Sequence, residues 1–224
     1  MATRVPLWDA PVRLFHWALA VLVVFSFTSG KIGGSWLEWH MRSGYAILAL
    51  LAFRVAWGVV GSETARFASF LRGPRVTIAH ARTLVSRKDP MTFGHTPTGG
   101  WMIVLMLALL AVQAASGLFV DDEIATQGPL AVKASNAFVA KMSALHSYNQ
   151  WAVAAAVVLH VAAIAFYQGY LGANLIGPMV HGMAEVRAPR APPRRAPGWI
   201  AALLFAAACA AVYYLVVVYP RSPS

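Results

Sequence analysis

The stretch HSYNQWAVAAAVVLH, from His146 to His160, has a histidine at each end of a mostly apolar segment. Burying an imidazole ring in hydrocarbon is costly unless the ring finds a partner. Fourteen residues of α-helix rise about 21 Å and turn about 1400°, about 40° short of four full turns. We therefore predict that both rings project from nearly one face of a helix. They would lie at opposite depths of a hydrocarbon layer about 30 Å thick.

The rest of the chain is equally apolar. Of its 224 residues, 59% are hydrophobic and 12% are charged, whereas charged residues make up about a quarter of a soluble domain. A barrel would show short alternating strands, and no such alternation appears, which favours helices. We predict an all-α integral membrane protein whose first span is a retained anchor. The predicted spans are Val12–Ser29, Gly44–Val60, Gly100–Val120, Leu145–Tyr167 and Gly198–Tyr219.

The basic charge follows this topology. The formal net charge is +10, which on a soluble protein would raise the possibility of nucleic-acid binding. With the N-terminus in the cytoplasm, twelve Lys and Arg residues fall on the inner side. Five fall on the outer side: Lys31, Arg42, Lys133, Lys141 and Arg221. This is the asymmetry of the positive-inside rule. We predict a multi-pass protein in lipid, with a cytoplasmic N-terminus and no nucleic-acid partner.

The long connections suggest a domain division. A basic loop at about Gly61–Gly99 carries the turn signals FLRGPR and GHTPTGG, and an outer loop carries the acidic cluster Asp121-Asp122-Glu123. The Pro/Arg-rich segment VRAPRAPPRRAP is typical of a semi-rigid linker. We predict a four-helix domain at 1–183, a linker at 184–197 and an extra transmembrane helix at 198–224.

Four histidines lie in or at the ends of the first, second and fourth spans: His16, His40, His146 and His160. Depth pairs His16 with His160 on the inner side and His40 with His146 on the outer side. The other three, His80, His95 and His181, fall in loops, where we expect them to be solvated or locally hydrogen-bonded.

Two histidines from different helices at one level are what axial ligation of a haem requires. Interhelical hydrogen bonding is the alternative for a lone histidine. A proton relay would want acidic partners in the spans, and a metal-ion site would want more ligands at one depth. Cys209 is the only cysteine, so a C-x-x-C-H attachment for covalent haem is absent. We predict two non-covalent b-type haems in a four-helix bundle.

Three neighbouring residues fit this cofactor. Gly44 lies one turn after His40, where a missing side chain would admit the macrocycle. Arg13 and Arg54 are candidates for contacts with haem propionates. Snorkelling to the membrane interface is an equally good interpretation of either arginine.

Several motifs resemble the bacterial cytochrome b561 family, which includes the b-type cytochrome subunits of nickel-iron hydrogenases. They are WDAPVRLFHW, HMRSGY, RVAWGVVG, ARFASF, GHTPTGGWM and the His146/His160 pair, and the resemblance covers about residues 7–183. It implies a four-helix core with two b haems, and its ligand positions carry over onto His16, His40, His146 and His160.

Three functions remain open. The first is electron transfer across the inner membrane between the quinone pool and a periplasmic partner such as a c-type cytochrome, which the acidic cluster would dock. The second is a superoxide:quinone oxidoreductase, for which the outer cations Lys31, Arg42, Lys133 and Lys141 would attract the anion. The third is a membrane-anchor subunit of a hydrogenase or dehydrogenase complex.

Overall fold

The computed structural model describes residues 3–85, 94–122, 126–186 and 191–222. The loop residues Arg87, Lys88, Arg187 and Arg190 and the acidic Glu123 lie outside these ranges. The α-helices and β-strands, in chain order, are β1 (Thr3–Pro6), α1 (Ala10–Ile32), α2 (Trp36–Val60), α3 (Phe67–Phe70), α4 (Pro74–Val85), α5 (Pro97–Gly117), α6 (Asn136–Gly169), α7 (Ile176–His181), β2 (Met183–Val186) and α8 (Gly198–Tyr213). Short 3₁₀ turns occupy Glu63–Ala65 and Ala131–Lys133, and α8 runs on through a π-helical stretch, Tyr214–Val218, and a last turn, Tyr219–Arg221.

Five of these helical segments are long and apolar enough to cross a membrane: α1, α2, α5, α6 and the continuous segment Gly198–Arg221. They coincide with the five predicted spans. Two begin earlier than predicted, because a search for apolar runs stops at polar residues that a helix tolerates. In the first turns of α2, Glu38 and Arg42 pair at i and i+4, which supports a helix. At the start of α6, the Ser135 hydroxyl accepts the Phe138 N–H at 3.4 Å.

Two features were not predicted. The predicted loop Gly61–Gly99 contains α3 and the 12-residue helix α4. Its first turn signal, FLRGPR, places Pro74 at the first position of α4, where the missing proline N–H costs nothing. The second feature is an antiparallel pairing of β1 with β2. These strands are four residues each, too short to show alternation.

The described chain divides into two compact units. Unit 1 is Met1–Leu14, Val55–Met106 and Ala156–Ala201; unit 2 is Phe15–Arg54, Leu107–Ala155 and Ala202–Ser224. In unit 1, Asp9 accepts the Val12 N–H at 2.8 Å and so caps α1. Its second oxygen accepts the indole N–H of Trp57 at 3.1 Å. Trp57 is fully buried (0% exposed), so Asp9 satisfies a donor that water cannot reach.

Unit 1 also holds the described part of the linker. Residues 184–186 belong to β2, paired with β1. Residues 191–197 have no helix or strand, yet their backbone is hydrogen-bonded to the turn that follows α2. The Glu63 N–H donates to the Arg194 carbonyl at 2.9 Å, and the Ala196 N–H donates to the Ser62 hydroxyl at 3.1 Å. These hydrogen bonds hold the residues that directly precede α8.

In unit 2, α8 packs on α2 through Phe53 and Phe205, whose rings meet edge to face at 5.9 Å. Its C-terminal turn is hydrogen-bonded to the loop that precedes α6, because the Lys133 ammonium donates to the Ser222 carbonyl. The fifth helix is therefore packed against the helix that carries His40.

Candidate functional site

His40 of α2 and His146 of α6 face each other in unit 2. Their ring centroids are 6.0 Å apart and their planes are nearly perpendicular, at 88°. A bond from a metal to an imidazole nitrogen is about 2 Å long. Because the centroid lies about 1 Å behind that nitrogen, two imidazoles on one metal place their centroids about 6 Å apart. The observed spacing therefore fits two imidazoles that hold one metal, and it also lies within the range of an edge-to-face ring contact.

The hydrogen bonds of the two rings identify the nitrogen that remains for a metal. His40 Nδ1 lies 2.8 Å from the Ser26 carbonyl oxygen, and His146 Nδ1 lies 2.9 Å from the Gln113 carbonyl oxygen. A carbonyl only accepts, so each Nδ1 carries the proton and donates it. Neutral rings in this tautomer present the lone pair of Nε2, which is the usual arrangement of a metal-ligating histidine.

A cavity of about 320 Å³ adjoins both rings, and Gly44 lines it. A Cβ built at Gly44 would meet no atom within 4 Å, so any side chain there would enter the cavity. Hydrophobic residues of α2, α5 and α6 also line it, including Ile47, Leu110 and Val153. A haem needs an apolar pocket and imidazole nitrogens that can hold its iron. The residues that line this cavity fit both needs.

The α5–α6 contact beside His146 is polar. The Gln113 side-chain amide donates to the His146 carbonyl at 3.1 Å. The buried Asn149 amide donates to the Leu109 carbonyl at 2.9 Å and to the Gln113 side-chain oxygen at 2.8 Å. These bonds fix which turn of α6 meets which turn of α5. Gln113 and Asn149 were not predicted as site residues. In the sequence each is only a polar residue inside an apolar span.

The predicted inner ligands fall in different units, His16 in unit 2 and His160 in unit 1. His16 lies in the second turn of α1, and its ring contacts the neighbouring Trp17 edge to face at 5.0 Å. His160 lies on α6, the helix that also carries His146. The pairing of His16 with His160 stays a prediction.

The two candidate arginines differ in their surroundings. Arg54 is 3% exposed, and its guanidinium lies 6.0 Å from the Phe15 ring. Arg13 donates to the Val180 carbonyl at 2.6 Å in unit 1. Its Nε is buried with no hydrogen-bond partner among the described residues. A contact of either guanidinium with a haem propionate stays a prediction.

Two of the loop histidines are not solvated. The His95 ring packs between the rings of Trp8 and Phe70, with centroids 4.4 Å from each. His80 is buried, and its Nδ1 lies 3.3 Å from the Thr98 hydroxyl. His181 is exposed, and its Nδ1 accepts the Met183 N–H at 3.2 Å. The expectation of local hydrogen bonding holds for His80 and His181, and aromatic rings contact His95.

The outer charges are partly engaged within the protein. Asp121 accepts the Gln127 side-chain amide and Asp122 accepts the Thr126 N–H, each at 2.8 Å. Arg42 pairs with Glu38. Lys31 lies 4.7 Å from the Trp151 ring centroid and lines the same cavity as the two histidines.

The sequence pattern of the prokaryotic cytochrome b561 family matches residues 7–182. Comparison with curated proteins and with solved structures gave no match. The family match covers more than half of the chain, including α1, α2, α5, α6 and all four candidate ligand histidines. With its five apolar helices and facing histidines, the chain therefore belongs to the prokaryotic cytochrome b561 family, whose members are membrane-bound b-type haem proteins of electron transfer.

Proposed function

We propose that the protein is a di-haem cytochrome that carries electrons across the inner membrane, between the quinone pool and a periplasmic redox partner. The observation that supports it most directly is the facing pair His40 and His146, with centroids 6.0 Å apart. Two strong axial ligands leave iron no open position, which favours electron transfer over binding of oxygen.

In this proposal each side chain has a defined role. His40 and His146 would hold the iron of the outer haem through Nε2, because their Nδ1–H groups donate to backbone carbonyls. Gly44 leaves space for the macrocycle. A b haem held in this way supplies a reversible one-electron iron couple. The chain contributes orientation, an apolar surround and the basicity of its ligands.

His16 and His160 are proposed as ligands of the inner haem. The support is their position along α1 and α6, and the family match across both helices. Arg13 and Arg54 are proposed to contact haem propionates, because a guanidinium suits the geometry of a carboxylate. The burial of Arg54 supports this role over snorkelling.

The proposed partners are a quinone and a basic protein such as a periplasmic c-type cytochrome. Asp122 is exposed and lines the cavity next to the histidines, so it would attract a basic partner towards the outer haem. We also propose a haem domain at 1–183, a linker at 184–197 and an additional helix at 198–224. The family match ends at residue 182.

Superoxide oxidation with quinone as acceptor is a second candidate, favoured by one observation. Lys31 lines the cavity beside both histidines, where an ammonium would attract a small anion. A third candidate, the anchor subunit of a hydrogenase-type complex, would use the exposed side of α8 as an interface.

The proposal is tested with the purified protein in lipid vesicles. A quinol should reduce the haems, and a c-type cytochrome added outside the vesicles should reoxidise them; both changes are followed in the absorption spectrum. Superoxide is supplied in a parallel sample with oxidised quinone. Reduction of the haems by superoxide alone would favour the oxidoreductase. Haems that neither a quinol nor superoxide reduces would reject both.

A further inference from the structure

The two ring nitrogens of the proposed outer site rest in the same arrangement on two different helices. On α1, Ser26 offers His40 Nδ1 its carbonyl oxygen at 2.8 Å and its hydroxyl oxygen at 3.3 Å. On α5, His146 Nδ1 meets the Gln113 carbonyl oxygen at 2.9 Å and the Ser116 hydroxyl oxygen at 3.3 Å. Each Nδ1 therefore lies beside one carbonyl oxygen and one serine hydroxyl. On α1 both belong to Ser26, whereas on α5 the hydroxyl belongs to Ser116, three residues after Gln113.

A glycine follows each accepting carbonyl by four residues: Gly30 after Ser26 and Gly117 after Gln113. A helical side chain covers the turn on the N-terminal side of its own Cα, which contains the carbonyl of residue i−4. A glycine at this position uncovers that oxygen and lets the histidine ring approach. A Cβ at Gly30 would lie 2.8 Å from His40 Nδ1, and a Cβ at Gly117 would lie 2.9 Å from His146 Cε1.

The sequence pattern is also repeated. Both glycines are preceded by a buried serine, Ser29 or Ser116. Each of these hydroxyls donates to a carbonyl four residues back, at 2.8 Å to Phe25 and at 2.7 Å to Val112. Such a bond directs the serine along its own helix. Two S-G dipeptides thus sit at equivalent places, each opposite a histidine on the next long helix.

We propose that Ser26–Gly30 and Gln113–Gly117 form two matching cradles that set the plane and the donor strength of the outer haem's axial histidines. The inference rests on the proposed ligand role of His40 and His146. Gly30 and Gly117 act as positioning residues: each leaves room for an imidazole ring where a Cβ would overlap it, and neither can ligate iron. A hydrogen bond to the far nitrogen of a ligating histidine raises the basicity of that ligand and fixes its orientation.

The test is a pair of single substitutions, Gly30→Ala and Gly117→Ala, in the full-length protein. The added methyl overlaps the ring, so the ring must turn and its bond to the carbonyl must lengthen. A less basic ligand stabilises ferric iron less, so the midpoint potential of the outer haem should rise. The low-spin electron paramagnetic resonance signal should change as well, because its anisotropy depends on the angle between the imidazole planes.

Gly169→Ala is the matched control, because Gly169 is also helical and a Cβ there meets nothing within 4 Å. It should leave both haem signals unchanged. A packing role alone would lower the yield or the melting temperature of the Gly30 and Gly117 variants without moving the potential or the resonance signal. That outcome would overturn the proposal.

If the alanine variants do not accumulate, Ser26→Ala and Ser116→Ala carry the test, since each removes one oxygen and adds no volume. Both should raise the outer potential by a smaller amount, and an unchanged potential in both would overturn the proposal. Failure of the underlying ligand assignment looks different. In that case His40→Ala and His146→Ala would retain every haem signal of the unsubstituted protein.

Discussion

Because His40 and His146 face each other, we predict that they hold one shared haem and not two different haems. We expect His40→Ala and His146→Ala each to lower the haem content from two per chain to one. The reason is that each ring supplies one of two axial bonds across the observed 6.0 Å. Loss of either bond leaves a five-coordinate haem that is weakly held and is lost on purification.

The double substitution His40→Ala/His146→Ala gives the decisive result. Two residues that act on one site are not additive, so the double variant should also retain one haem per chain. If the two histidines served different haems, each single variant would keep one haem and the double variant would keep none.

Haem is counted as the pyridine haemochrome against protein from amino-acid analysis, and redox titration identifies the component that is lost. His181→Ala is the control, since His181 is exposed and should not affect either component. A double variant without haem, in a protein that still folds in detergent, would refute the shared site. A different lost component in the two single variants would refute it as well.

Further outcomes are expected. Acidified acetone should extract all haem from the unsubstituted protein, and the spectrum should be six-coordinate and low-spin; haem that stays on the protein, or a high-spin form, would contradict this. A reporter fused after Ser224 should be active only on the periplasmic side, and cytoplasmic activity would reject the orientation or the fifth span. Asp9→Ala removes a helix cap worth about 1 kcal/mol and leaves the indole N–H of Trp57 unsatisfied at about 1–3 kcal/mol, so unfolding in mixed detergent should become easier by about 2–4 kcal/mol; a change below 1 kcal/mol would show that the bond to Trp57 contributes little. Gly44→Leu should fill the cavity and lower the outer haem content, whereas Gly44→Ala should retain it; equal haem in both would remove Gly44 from the site.

The long helices could be predicted from the sequence because lipid imposes one rule on every residue of a span. The helix starts could not, since polar first turns such as that of Trp36–Arg42 are held by local pairs that hydropathy does not register. The sheet of β1 with β2 joins residues about 180 apart in the chain, and four-residue strands carry too little pattern to reveal such a pairing.

The candidate site shows the same limit at the level of atoms. His40 and His146 could be paired by depth, because helix geometry converts residue number into distance. Their hydrogen-bond acceptors could not be predicted, because every residue has a backbone carbonyl and the sequence does not show which one a ring will contact. The chain has three S-G dipeptides, and the sequence does not show that Ser29-Gly30 and Ser116-Gly117 are the two that face the rings of His40 and His146. A glycine inside an apolar helix is usually a packing site, and only the ring beside it gives it another role.

The segment His146–His160 both positions a candidate ligand and forms part of an apolar helix. The segment from His146 to Gln150 is polar, and three of its groups are bonded to α5: the His146 ring, the His146 carbonyl and the Asn149 amide. Apolar surfaces in lipid slide past each other at little cost, so these bonds specify the register of α6 on α5. A slip of one turn would displace His146 by about 5.4 Å, far beyond the length of a bond to iron. The residues that follow, Ala152–Val158, are small and apolar and permit close helix packing. The polar end therefore positions the histidine, and the apolar part packs against neighbouring helices, which explains why one short stretch has both characters.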